Sequence, residues 1–166
     1  MNMIRKIAII PILAFSLHAF GTECINNDLI WPKLVIYTSD SSSYNEAISV
    51  LAAAEKSDKT GESLFYKAAL EHRLKLYKES LQSIEKSASV DYHFAHAFFG
   101  LAYQYGYLGF EQSIIKSQTH YKKYLDAAKK CSEFEGSHPT EEQGSSLVMK
   151  LFEITPIDII RSKYIK

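Results

Sequence analysis

Few residues in this chain could do chemistry, and their spacing limits what they could do. His93 and His96 stand three apart just after Asp91, which would put two imidazoles on one helix face. A zinc site needs at least one more reliable ligand, and neither HExxH nor Cys-x-x-Cys spacing occurs. No metal is expected, and both histidines read as satisfied surface or half-buried groups. Gly106-Tyr107-Leu108-Gly109 could let a phosphate approach the backbone, but it follows a helical stretch rather than a strand. No Gly-x-Ser-x-Gly elbow supports serine acyl transfer. The carboxylate pairs Glu141/Glu142 and Glu133/Glu135 fall in loops and helix starts, where solvation and the helix dipole account for them. The expectation is therefore no catalytic residue, no cofactor and no enzyme.

The two cysteines, Cys24 and Cys131, carry chemistry only in the right compartment. Arg5 and Lys6 precede an apolar run from Ile7 to Leu17, and Ala19-Phe20-Gly21 offers small residues to a signal peptidase. That layout is a secretory signal, too short for a comfortable membrane span. Cleavage is expected after Gly21, with Ala19 as the alternative; an uncleaved N-terminal anchor is the other reading. The chain is then periplasmic or secreted, with no integral span once the signal is gone. In an oxidising compartment a Cys24–Cys131 bridge is expected, against two separate buried thiols. Glu23 stands where a lipoprotein signal wants a small residue before its cysteine.

Composition narrows the class further. The 166 residues fit one domain, and 46% are apolar. Nineteen basic residues balance nineteen acidic ones without a polybasic or polyacidic block, so nucleic acid lacks its electrostatic signature. Loss of residues 1–21 removes Arg5 and Lys6 and leaves a net charge of about −2.

Most of the mature chain has helical spacing. Residues 22–43 do not: Trp31-Pro32 and Leu34-Val35-Ile36-Tyr37 favour an extended segment. Ser43 and Glu46 have capping-box spacing ahead of a helix over about 44–56. Further helices are expected over 62–73, 75 or 77–88, 93–105, 113–130 and 140–153. Thr155-Pro156 fits the cap and first turn of a short helix over 156–164.

A shared pattern links these helices. Tyr44, Ala47, Leu51, Ala54 recur as Tyr77, Ser80, Ile84, Ser87 and, more loosely, as Ile114, Ser117, Tyr121, Tyr124. Ala68 and Gly100 supply small residues to the helices between. These two are 32 apart, whereas Ser80 and Ser117 are 37 apart, so the second hairpin has about five extra residues near Gly106–Gly109.

A period near 34 with small residues at helix crossings is similar to the tetratricopeptide repeat. The longer turn, Gly100-x-x-Tyr103-x-x-Gly106-x-x-Gly109 followed by Lys116-Ser117, resembles the Sel-one-like variant. The likeness is good over 99–125, moderate over 64–88 and half a repeat over 44–55. It departs at the first hairpin's short turn, at Gln112 where an acid is expected, and at Tyr124-Leu125 where alanines are expected. The resemblance implies an all-α, right-handed superhelical stack of about two and a half hairpins. Residues 44–130 would form the repeats, 22–43 an extended lead-in, and 131–166 a C-terminal loop and capping helices.

The resemblance also implies a concave groove for another protein. Its positions here are Phe65, Ala69, His72 and Arg73, then Phe94, Leu101, Gln104 and Tyr105; the alternative is that they pack against the chain's own ends. Small exported relatives suggest an immunity protein that neutralises a secreted effector enzyme, or an envelope assembly or signalling adaptor. Some cysteine-rich relatives are described as β-lactam-binding or hydrolysing. Those carry repeated cysteine pairs, and this chain has at most one.

Overall fold

Apolar residues at three-and-four spacing run through most of the chain, and the backbone answers them with helices. The computed structural model describes residues 27–131 and 139–162. A 3-10 turn at Asn27–Leu29 leads into α1 (Ile30–Thr38), and another at Ser41–Ser43 into α2 (Tyr44–Ala54). Then come α3 (Glu62–Arg73), α4 (Tyr77–Ser89) and α5 (His93–Tyr105). A 3-10 turn at Tyr107–Gly109 precedes α6 (Ile114–Ala128), α7 (Glu141–Phe152) and α8 (Pro156–Ser162). The described chain is all-α, as expected.

The start of the described chain corrects the expected extended segment. Leu34 to Tyr37 lie inside α1. Pro32 is the third residue of that helix, where its missing N–H has no intrahelical acceptor to lose. Leu29, Val35 and Ile36 are buried, with α1 packed on α2 and α3. That burial outweighs the extended preference of the β-branched residues. The Ser43–Glu46 capping box does not form. The Ser43 hydroxyl donates instead to Asp40 Oδ2 at 2.7 Å. Residues 22–26 lie outside the described residues, as do 1–21.

Two hairpins, α3–α4 and α5–α6, form the centre. Each is fastened by a buried serine hydroxyl donating to a carbonyl across the crossing. Ser80 donates to Ala68 O and Ser117 to Gly100 O, both at 2.9 Å. Two further contacts correspond when α3 is shifted by 32 and α4 by 37 residues. Ser83 donates to Glu71 at 2.8 Å, and at the counterpart positions His120 stacks on Tyr103 with centroids 5.5 Å apart. Ser87 donates to Gly61 O at 2.7 Å, and its counterpart Tyr124 stacks on His93 at 6.3 Å. At Gly100 an added Cβ would stand 2.7 Å from the Tyr121 ring, so any larger residue at this crossing must displace that ring.

Helix α7 packs on α3 and α5. Its capping box is complete: Gln143 N–H donates to Thr140 Oγ1 at 3.2 Å, and Thr140 N–H to Gln143 Oε1 at 2.9 Å. The Phe152 ring lies 5.4 Å from Phe65 and 5.0 Å from Phe98, centroid to centroid. Arg73 ties this helix to the first two. It donates to Leu151 O at 2.8 Å, and to Ile36 O and the Tyr44 hydroxyl at 2.9 Å. It also pairs with Glu153 at 3.0 Å. One guanidinium thereby bonds to carbonyls at the C-terminal ends of both α1 and α7.

Candidate functional site

The residues expected to line a concave groove are mostly inside the protein. Phe65 and Leu101 are fully buried, and Phe94 and His72 nearly so. Ala69 is buried as well. The Arg73 guanidinium is spent on the contacts just described. Of the eight positions only Gln104 is exposed, with Arg73 and Tyr105 in between. The reason is α7, whose Phe152 ring meets Phe65 edge-on and, at 5.5 Å, His72 edge-on. Instead of an open groove, the α3–α5 face carries the chain's own helix α7.

The histidines are core groups. His93 is 1% exposed and His96 3%, with His96 Nε2 3.2 Å from Asp91 Oδ1. Burial lowers the His96 pKa against the pull of Asp91. Cys131 is buried and disulfide-bonded, its sulfur 3.6 Å from His93 Nδ1. Cys24, Glu133 and Glu135 lie outside the described residues. Among the described residues no cluster of three His, Cys, Asp or Glu side chains could hold a metal ion, and no helix is long and apolar enough to cross a membrane.

Two other features stand out. The first is the outer face of α1. Ile30, Leu34 and Tyr37 recur at helical spacing with Trp31 beside them, and they are 65%, 56%, 47% and 39% exposed respectively. The inner face is apolar too, and the polar residues of α1 are Lys33, which is paired with Glu62, and Thr38 near its end.

The second is a pocket of about 620 Å³ at the C-terminal ends of α3 and α7. Its apolar wall comes from Tyr77, Tyr107, Leu108 and Phe152, with His72 among them. Tyr107 Oη and His72 Nε2 are 2.8 Å apart. Burial drives the His72 pKa down to about 4, against the pull of the Phe152 backbone and of Asp158, so the wall is uncharged at neutral pH. Burial also pushes the Tyr107 phenol up.

No family model, curated protein or solved structure matches this chain. The site therefore has to be read from its own chemistry.

Around that wall stand Arg73, Lys75, Arg161, Glu153 and Asp158. Lys75 and Glu153 occupy the same kind of place. Each follows a helix in the left-handed conformation, with φ of 62° and 52°. Lys75 N–H donates to His72 O and Leu76 N–H to Glu71 O; Glu153 and Ile154 repeat this with Lys150 and Met149. This is the Schellman ending, whose left-handed position normally takes glycine. A side chain there costs about 1 kcal/mol. Leu108, also at the pocket, has φ of 52°. Three of the five non-glycine residues with positive φ among the described residues thus line one pocket, as strained backbone tends to at ligand sites. Sequence reasoning missed them because only glycine advertises a left-handed turn.

Proposed function

We propose that this chain is an exported protein-interaction module that binds its partner through the outer face of α1. The observation that carries the reading is the exposed row Ile30, Trp31, Leu34 and Tyr37. A contiguous apolar row on a surface helix, with Trp and Tyr in it, has the composition of an interface anchor. The secretory layout of residues 1–21 supports export, and it agrees with a disulfide at Cys131, for which we propose Cys24 as partner. The matched contacts of α3–α4 and α5–α6 support a stack of tetratricopeptide-like, Sel-one-like hairpins, right-handed and superhelical, with α2 as the half repeat.

Neutralisation of a toxic secreted enzyme and service as an envelope adaptor are the two forms this function takes. Crosslinked capture from the envelope of the source cell, with wild type and with Trp31→Ser/Leu34→Asn, tests it. Both positions are exposed, so the fold should survive the change. One stoichiometric partner should be captured by wild type and lost with the double variant. An enzyme inhibited at equimolar ratio marks immunity, and an envelope component marks an adaptor. Undiminished capture by the double variant would exclude α1 as the site.

A further inference from the structure

We propose that the pocket between α3, α7 and α8 binds a free amino acid or short peptide, zwitterionic and bearing an aromatic or branched aliphatic side chain. This site uses none of the α1 residues, so it stands or falls separately from the interaction surface above.

Size and chemistry both point that way. A volume of about 620 Å³ lies within the range of about 300–1,000 Å³ common to small-ligand sites. Phe152, Tyr107 and Tyr77 offer an aromatic surface for an apolar side chain. The charges come in both signs. Arg73, Lys75 and Arg161 line the pocket as cations and Glu153 and Asp158 as carboxylates, with Arg73 and Glu153 already paired to each other at 3.0 Å. A purely anionic ligand would meet Asp158, and a purely cationic one Lys75 and Arg161. A purely apolar ligand would strip water from these three without replacing it. A molecule with one ammonium, one carboxylate and an apolar branch offers a partner to each sign of charge and to the aromatic wall.

The two carboxylates are also held in place before any ligand arrives. Asp158 Oδ2 accepts from the Thr155 amide at 2.9 Å and from its hydroxyl at 2.6 Å. Glu153 Oε1 accepts from the Ser39 hydroxyl and from Arg73, each at 3.0 Å. The backbone at Lys75 is fixed by the Schellman turn that ends α3. Its position favours glycine, yet the chain places an ammonium at the mouth of an aromatic pocket. Fixed carboxylates lower the ordering cost of binding, and among the described residues no ion pair of Lys75 gives its ammonium a structural role.

Calorimetric titration of the full chain with the dipeptide Leu-Phe tests the proposal, with N-acetyl-Leu-Phe-amide as the uncharged control. Saturable one-to-one binding of Leu-Phe is expected, at least tenfold weaker for the blocked peptide. Lys75→Gly should weaken Leu-Phe binding at least tenfold without lowering the thermal midpoint, because glycine suits the left-handed turn. Asp158→Asn should weaken it similarly, since the amide oxygen can still accept from Thr155. No binding of Leu-Phe at millimolar concentration overturns the proposal. So does equal affinity for the blocked peptide, or binding that neither variant changes.

Discussion

His72 sits beneath Phe152 at the end of α3, and losing water there lowers its pKa from 6.5 to about 4. His120 falls to about 4 as well, mainly by burial, with the charges of His96 and Lys123 adding to it. A histidine depressed in the folded state binds its proton more readily when unfolded. Its contribution is therefore full above pH 6.5 and is lost as pH falls towards 4. For His72 the shift is worth roughly 3 kcal/mol across that window. Urea unfolding at pH 7 and pH 4.5 should show a lower midpoint at pH 4.5. His72→Gln should lose less than wild type between the same two values, and an equal loss would remove His72 from the account. The sequence offered His72 as a groove contact because its helical position was legible. Its burial was not, since the covering residue stands 80 positions further along the chain.

At the level of elements, the hairpins are where sequence and structure agree most closely. The helices over 62–73 and 93–105 match the expected bounds, and Gly100 lies at a crossing as its spacing suggested. Periodicity is a local signal, and these helices bury a local stripe. Replacing Gly100 with Ala tests the crossing. The new Cβ would meet the Tyr121 ring, whose hydroxyl is held by Gln104 at 3.0 Å and Ser145 at 2.7 Å. Overpacking of this kind costs about 1–3 kcal/mol, and better helix propensity returns about 1 kcal/mol. The thermal midpoint should fall, and a rise would show that Tyr121 swings aside freely. Helix α1 is the counterexample. Val35 and Ile36 favour a strand by type, but burial against α2 and α3 decides for a helix.

For the whole molecule, the proposed bridge between Cys24 and Cys131 would close most of the described chain into one loop. Such a loop is worth roughly 4–5 kcal/mol by restricting the unfolded state. Reductant should lower the thermal midpoint of wild type, and Cys24→Ser should show the lower midpoint with no further response to reductant. A Cys24→Ser midpoint that still drops on reduction would place the partner of Cys131 elsewhere. The same scale explains the filled groove. Two hairpins leave the apolar faces of α3 and α5 unpaired, and a short stack must cover them from its own sequence. Val148, Leu151 and Phe152 of α7 do so.

By itself the sequence determined the all-α class, seven of the eight helices among the described residues to within two residues at each end, and the small residues at the crossings. Those depend on side-chain period and size, which any stretch carries within itself. Tertiary structure alone decided that α7 occupies the expected groove, that α1 is a helix with an exposed apolar row, and that Lys75, Leu108 and Glu153 meet at one pocket. Each of these joins residues far apart in the chain, where the free energy comes from surfaces buried together and no local pattern records the pairing.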